Sequence, residues 1–243
     1  MKDSALLRKQ VQSALGSRWE DVFHVDKRSP TGAIGSCVGE IPRGTLTEIA
    51  GPASSGRTTV LHTLFAAVSA AQEFCALIDA DDAFDPASAS AAGVRLSQVL
   101  WVRCGGNVEH ALKATDLLAQ AGGFGIVAFD LADTPEPIAR RIPLASWFRL
   151  RHAVENTRTA LVSVGRRINA ASCSTLKIEL SRNRVLWRGQ APGKLLQGVD
   201  VIAQRTRRHR SDREQLTLVG PDCIRRADCI GLREVTSQSK EAD

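Results

Sequence analysis

Apolar positions fall in short runs over the first two-thirds of the chain, parted by turns rich in Gly, Pro and Asp. Leu46–Ile49, Phe74–Asp79, Val99–Val102, Gly125–Phe129 and Thr159–Val164 are brief and turn-bounded, which predicts buried strands. Between them, residues 58–71, 86–92, 107–121 and 144–156 are longer, with helix-start signals at Asp85-Pro86 and Asn107. Strands alternating with helices predict an α/β fold, a mainly parallel sheet covered by helices on both faces. From Leu176 the pattern changes. Residues 176–181, 184–188, 199–205 and 215–219 read as short strands joined by turns, an antiparallel extension. Ahead of the sheet, Leu6, Val11, Leu15 and Trp19 recur at helical spacings, which predicts an amphipathic helix over 4–19. A polar connection over 26–38 follows it. The expected organisation is therefore a leading helix and linker (1–38), a core (39–220) and a polar, partly disordered tail (221–243). Trp101, Trp147 and Trp187 are expected in the core.

Composition narrows the class. The chain has 243 residues, 43% apolar and 24% charged, enough for one substantial core. Its six cysteines form no CxxC pair and no Cys/His metal spacing, and no signal peptide precedes them. Reduced thiols and a cytoplasmic location are expected. The longest apolar stretch, 60–71, is too short to span a bilayer, so no membrane role is expected. The net charge of +6 hides an asymmetry: residues 140–213 carry 17 Lys/Arg against 4 Asp/Glu. Such a region is either a solvated basic face or a surface for a polyanion or an acidic partner.

The chemistry is organised around Gly51-Pro52-Ala53-Ser54-Ser55-Gly56-Arg57-Thr58-Thr59, between a predicted strand and a predicted helix. That is the context of a phosphate-binding P-loop: the glycines let several N–H groups face one anion, and the helix adds its positive end. Thr58 stands where a hydroxyl would meet Mg²⁺, whereas the lysine position holds Arg57. A structural turn is the alternative. Two predicted strands end in acids: Asp79, Asp81 and Asp82 follow one, and Asp130 ends the other. Ligands of open parallel sheets sit beyond such strand ends.

The segments IPRGTLTEIAGPASSGRTT and CALIDADDAFDP, with the later strand ending at Asp130, resemble the ATPase core of the bacterial RecA recombinases, from about Gly39 to Val219. The resemblance implies a RecA-like P-loop fold, ATP and Mg²⁺ as cofactors, single-stranded DNA as a partner and self-association. It implies nucleotide contacts at Gly51, Ser54, Ser55, Gly56, Arg57, Thr58, Thr59 and Asp85, and metal contacts at Thr58 and Asp130. It places Asp81, one methylene short, where a glutamate positions the attacking water. Ser88 replaces a tyrosine that stacks on adenine, and Arg166 a glutamine that senses the γ-phosphate. The loop after that strand is compressed to Asn169–Ser172. Arg205 and Arg207 fall where two basic residues reach a neighbouring subunit's nucleotide, and with Arg208 and Arg210 they are candidates for inter-subunit or DNA contact; a solvated hairpin tip is the alternative. The recombinases' large C-terminal domain is expected to be lacking.

An arginine is longer and wider than an ammonium point charge, and the P-loop lysine stabilises transition-state charge in phosphoryl transfer. Three altered positions therefore argue against fast hydrolysis. A shortened core of this kind resembles the ImuA group (SulA-like accessory proteins). That resemblance implies an accessory role in the SOS response to DNA damage and in mutagenic translesion synthesis, with RecA and a Y-family-polymerase-like protein as partners. The alternative is an active DNA-dependent ATPase that forms filaments on single-stranded DNA. A third reading is a RecA mimic that caps filaments and docks through the leading helix.

Overall fold

The computed structural model describes residues 32–190, 193–207 and 210–219. The predicted leading helix, Arg208 and the tail from 221 lie outside the described residues. The fold is α/β, as the sequence pattern requires. A two-residue ladder, β1 (Ala33–Ile34) with β2 (Ile41–Pro42), precedes the main sheet. The chain then runs β3 (Leu46–Ala50), α1 (Arg57–Ala70), β4 (Phe74–Asp79), α2 (Pro86–Ala91), β5 (Val99–Arg103), α3 (Val108–Ala121) and β6 (Phe124–Asp130). It continues through α4 (Glu136–Ala139), α5 (Leu144–Val154), β7 (Ala160–Gly165), β8 (Leu176–Arg188), β9 (Leu195–Arg207) and β10 (Arg210–Val219).

Eight strands form one sheet in the order β10-β9-β8-β3-β7-β6-β4-β5. Strands β3 to β7 pair in parallel, and β8 joins β3 in parallel over four residues. Strands β9 and β10 then fold back antiparallel. Because side chains alternate along a strand, each buried strand feeds two cores. On one face Cys75, Leu77, Ile126 and Val162 meet Val60, Leu64, Phe65 and Val68 of α1. On the other, Ala76, Ile78, Val127 and Phe129 meet Ala111 and Leu118 of α3 and Trp147 and Leu150 of α5. Asn107 caps α3 by accepting from the His110 amide, and Asp85 caps α2 ahead of Pro86.

Three expectations change. Ile34 and Val38 are buried in the α1-side core, so the connection read as polar delivers two core residues. The segments 176–181 and 184–188 are one strand, β8, running through the polar insert with a register shift between Arg182 and Arg184. A bulge absorbs the extra residue, so pairing with β9 resumes without a turn. Trp187 is 57% exposed, not buried, because β8 and β9 continue past the helices that cover the rest of the sheet. Trp147 is fully buried, as expected. Trp101 is half-buried, packing edge-on against Phe84 with the Arg103 guanidinium over its ring. Among the described residues Cys75, Cys104 and Cys173 are free thiols, and no helix is long and apolar enough to cross a membrane.

Candidate nucleotide site

The glycine-rich turn lies where the central strand β3 hands over to α1, between the ends of β7 and β8. The Gly51 amide donates to the Gly165 carbonyl at 3.2 Å. A Cβ on Gly51 would run into the Leu180 carbonyl of β8 and the Ser55 hydroxyl, so close approach reserves that position for glycine. Gly56 has φ 89°, and a Cβ there would meet the Leu218 methyl of β10. Ser54 also adopts positive φ (59°), which curls the loop. Helix α1 begins at Gly56 with no side-chain cap, leaving its first N–H groups for another acceptor. The Ser55 hydroxyl is buried with no hydrogen-bond partner in the fold. Unused donors and an uncapped helix end make a cradle that fits a phosphate group.

The side chains around the cradle are arranged differently from what phosphoryl transfer requires. Arg57 is 6% exposed, and its Nη1 donates to the Ala132 carbonyl at 3.1 Å, in the loop after β6. Arg166, at the end of β7, donates from Nε to the same carbonyl at 3.3 Å. The residues in the lysine and glutamine positions thus converge on one backbone oxygen. Burial lowers the Arg57 pKa from its usual value, while Asp130 and Asp133 pull it back up. Asp130 accepts from the Ala132 amide at 2.9 Å, and burial, helped by Asp79 and Asp133, pushes its carboxyl up to about 7. Thr58 and Thr59 occupy the first turn of α1, with Thr58 exposed.

The acids after β4 are divided among tasks. Asp79, fully buried, accepts from the amides of Ala83 and Phe84 and from Trp101 Nε1, which pins the loop. Asp81 accepts from the Thr134 hydroxyl, linking the β4 and β6 strand ends. Asp82, at φ 58°, accepts from Arg103 and the Gly105 amide. Asp85 engages both oxygens with the Ala87 and Ser88 amides, and the Ser88 hydroxyl with those amides holds its carboxyl below the usual range. Ser88 offers no aromatic platform, and its hydroxyl closes the α2 cap. The cradle fits phosphate; the side-chain set does not fit phosphoryl transfer. Among the described residues no group of three or more His, Cys, Asp or Glu is placed to hold a metal ion.

The structure brings Gly51 to Thr59, Asp81, Asp130 and Arg166 to one end of the sheet. Arg205 is elsewhere: its Nη2 donates to the Glu40 carbonyl at 2.7 Å beside Gly39. Arg207 is exposed at the end of β9, and Arg210 opens β10. Sequence reasoning missed Glu48, a buried carboxylate on β3 that accepts from the Asn169 and Ala170 amides at 2.7 and 2.8 Å. Burial raises its pKa, opposed by those two bonds. It ties the compressed loop after β7 to the P-loop strand. A charge inside an apolar strand was the available signal, since buried carboxylates require partners.

Residues 14–140 match the family described as the RecA N-terminal domain. Protein RecA of Deinococcus radiodurans is 43% identical over 93 residues, which cover 38% of this chain and 25% of that protein. Protein RecA of Thermus aquaticus is 37% identical over 105 residues, 42% of this chain and 31% of that protein. For Protein RecA of Chloroflexus aurantiacus the match is 28% over 153 residues, 56% of this chain and 43% of that protein. The chain thus spans less than half the length of these curated relatives. The family match takes in the P-loop, Asp81, Asp85 and Asp130 and covers more than half of the chain. The chain belongs to the RecA N-terminal domain family.

Proposed function

We propose that this chain is a RecA-like accessory protein of the bacterial DNA-damage response. It acts in mutagenic translesion synthesis through protein partners, RecA and a Y-family-polymerase-like protein, and through single-stranded DNA. Its organisation is a leading helix and linker (1–38), the RecA-like core (39–220) and a polar tail (221–243). The observation that carries the reading is the convergence of Arg57 and Arg166 on the Ala132 carbonyl. Two groups that would stabilise a transferring phosphoryl instead close the P-loop onto the β6 loop, which leaves a core that holds its shape without turnover. Gly51, Ser54, Ser55, Gly56 and Thr59 keep a phosphate cradle, with Thr58 and Asp130 beside it for a nucleotide's Mg²⁺ and Asp85 for its base. ATP in this reading is a structural ligand.

The test is genetic. Deleting the gene abolishes damage-induced mutation while sparing spontaneous mutation, and Arg57→Ala restores it as well as wild type does. Unchanged induced mutation after deletion sinks the reading. A filament-forming ATPase is favoured by one feature, the preserved cradle with its unpartnered Ser55 hydroxyl. It requires Arg57→Ala to fail in the same assay.

A further inference from the structure

A second concavity lies away from Thr58 and Asp130. It is an open groove of about 790 Å³ on the other flank of the P-loop. Its floor is the outward face of the antiparallel extension, where Glu179, Gln204 and Arg213 are lateral neighbours on β8, β9 and β10 and Ser181 pairs with Ile202. The opposite face of the same strands, with Leu180, Val201 and Ala203, is buried in the α1-side core. The walls are Pro52 and Ala53 of the P-loop, Arg166 to Ile168 after β7, and Glu136 and Arg140 of the β6–α5 connection. Four arginines line it against two glutamates. Glu136 is already neutralised, by Arg140 at 2.6 Å and Arg167 at 3.0 Å.

The groove meets the backbone edge of β8 at Ser181. Strand β3 stops at Ala50, opposite Glu179, while β8 continues to Arg188 with only β9 beside it. Over Ser181–Arg188 the β3-side edge of β8 has no strand partner among the described residues. From Ser181 to Val199 the sequence holds four Lys/Arg and no Asp or Glu. Arg182 and the bulge at Asn183 guard this edge against pairing with a copy of itself, and the same cations favour a strand of opposite charge.

We propose that an extended, net-acidic segment of a protein partner adds as a strand along the open edge of β8 and runs into the groove, with its carboxylates on Arg140, Arg166 and Arg182. Strand addition supplies main-chain hydrogen bonds, alternate side chains enter the groove, and arginine forks match carboxylates. A peptide fits better than a nucleic acid for two reasons. The groove lining contains no aromatic ring, and the open stretch of β8 carries one, Trp187, where binding of successive bases calls for several. A nucleic-acid strand carries a phosphate at every step and would bring charge against Glu179, whereas a peptide can place an uncharged residue there. The inference does not rest on the pathway proposed above.

The test uses the full chain and a fluorescent, end-blocked peptide of alternating glutamate and valine, as long as the open stretch of β8. Anisotropy reads binding, and hydrogen exchange reads the edge. The peptide binds and slows exchange of amides within Ser181–Arg188; a double substitution, Arg140→Glu with Arg182→Glu, weakens it by about tenfold or more while the melting curve stays put. Oligothymidylate of equal charge does not displace it. Absence of peptide binding overturns the proposal. So does binding without protection of β8, or displacement by oligothymidylate, which would assign the groove to nucleic acid.

Discussion

The two halves of the eight-stranded sheet are built on different rules. From β3 to β5 every strand is parallel and its residues enter cores on both faces, under α1 on one side and α3 with α5 on the other. From β8 to β10 only the α1-side face is buried; the other carries Glu179, Gln204 and Arg213 in the open. The P-loop sits at the seam, with Gly51 against the Leu180 carbonyl and Gly56 against Leu218. In the parallel half Arg57 and Arg166, where the RecA resemblance implies groups that meet the phosphates, both donate to the Ala132 carbonyl. The antiparallel half holds most of the excess positive charge. In the function proposed above, the parallel half supplies the shape and the antiparallel half the interaction surface.

Two tryptophans give the sharpest contrast. Trp147 lies fully buried beneath the parallel half, with its ring tilted 5.9 Å from Phe129. Trp147→Ala costs about 3–5 kcal/mol in urea unfolding. A loss under about 1 kcal/mol would mean that α5 does not close that core.

Asp130 comes next, as a pH effect. Its carboxyl is raised from 3.8 to about 7, so the folded state binds the proton more tightly than the unfolded state. Stability is then unpenalised below about pH 4, falls as pH rises through about 7, and is level above. Asp130→Asn removes that slope and unfolds at higher urea than wild type at pH 8, by an amount on the order of a few kcal/mol. Parallel stability-against-pH curves for the two proteins would contradict this.

Removing Glu48 orphans the Asn169 and Ala170 amides at the seam. Glu48→Ala costs about 1–3 kcal/mol for each buried amide left unpaired, and exchange of both amides speeds up. Glu48→Gln keeps an acceptor and restores most of the protection. Equal behaviour of the two variants would deny the tie.

The smallest effect belongs to the extension. Trp187→Ala changes stability by less than about 0.5 kcal/mol, because most of its ring already meets water. A loss as large as that of Trp147→Ala would erase the distinction between the halves.

Much of the parallel half was legible in the sequence because each apolar run there is bounded by its own turn residues. The Asn107 and Asp85 caps announced their helices in the same way. The extension was harder to read. Arg182, Asn183 and Arg184 look like a turn in sequence, yet β8 passes through them, since an exposed edge tolerates a polar bulge. Trp187 looked like core because hydrophobicity reports a side chain's preference, not whether a helix lies above it. At the site, glycine spacing located the cradle. The meeting of Arg57 with Arg166 was not legible: their shared acceptor is the Ala132 carbonyl, and a backbone oxygen leaves no trace in residue identity.

The central claim, that these two arginines close a site that no longer turns over, is tested most directly by steady-state ATP hydrolysis with Mg²⁺, with and without single-stranded DNA. Wild type is predicted to show no turnover above background in either condition. DNA-stimulated hydrolysis by wild type that disappears in Arg57→Ala would contradict the account and make Arg57 a working phosphate ligand.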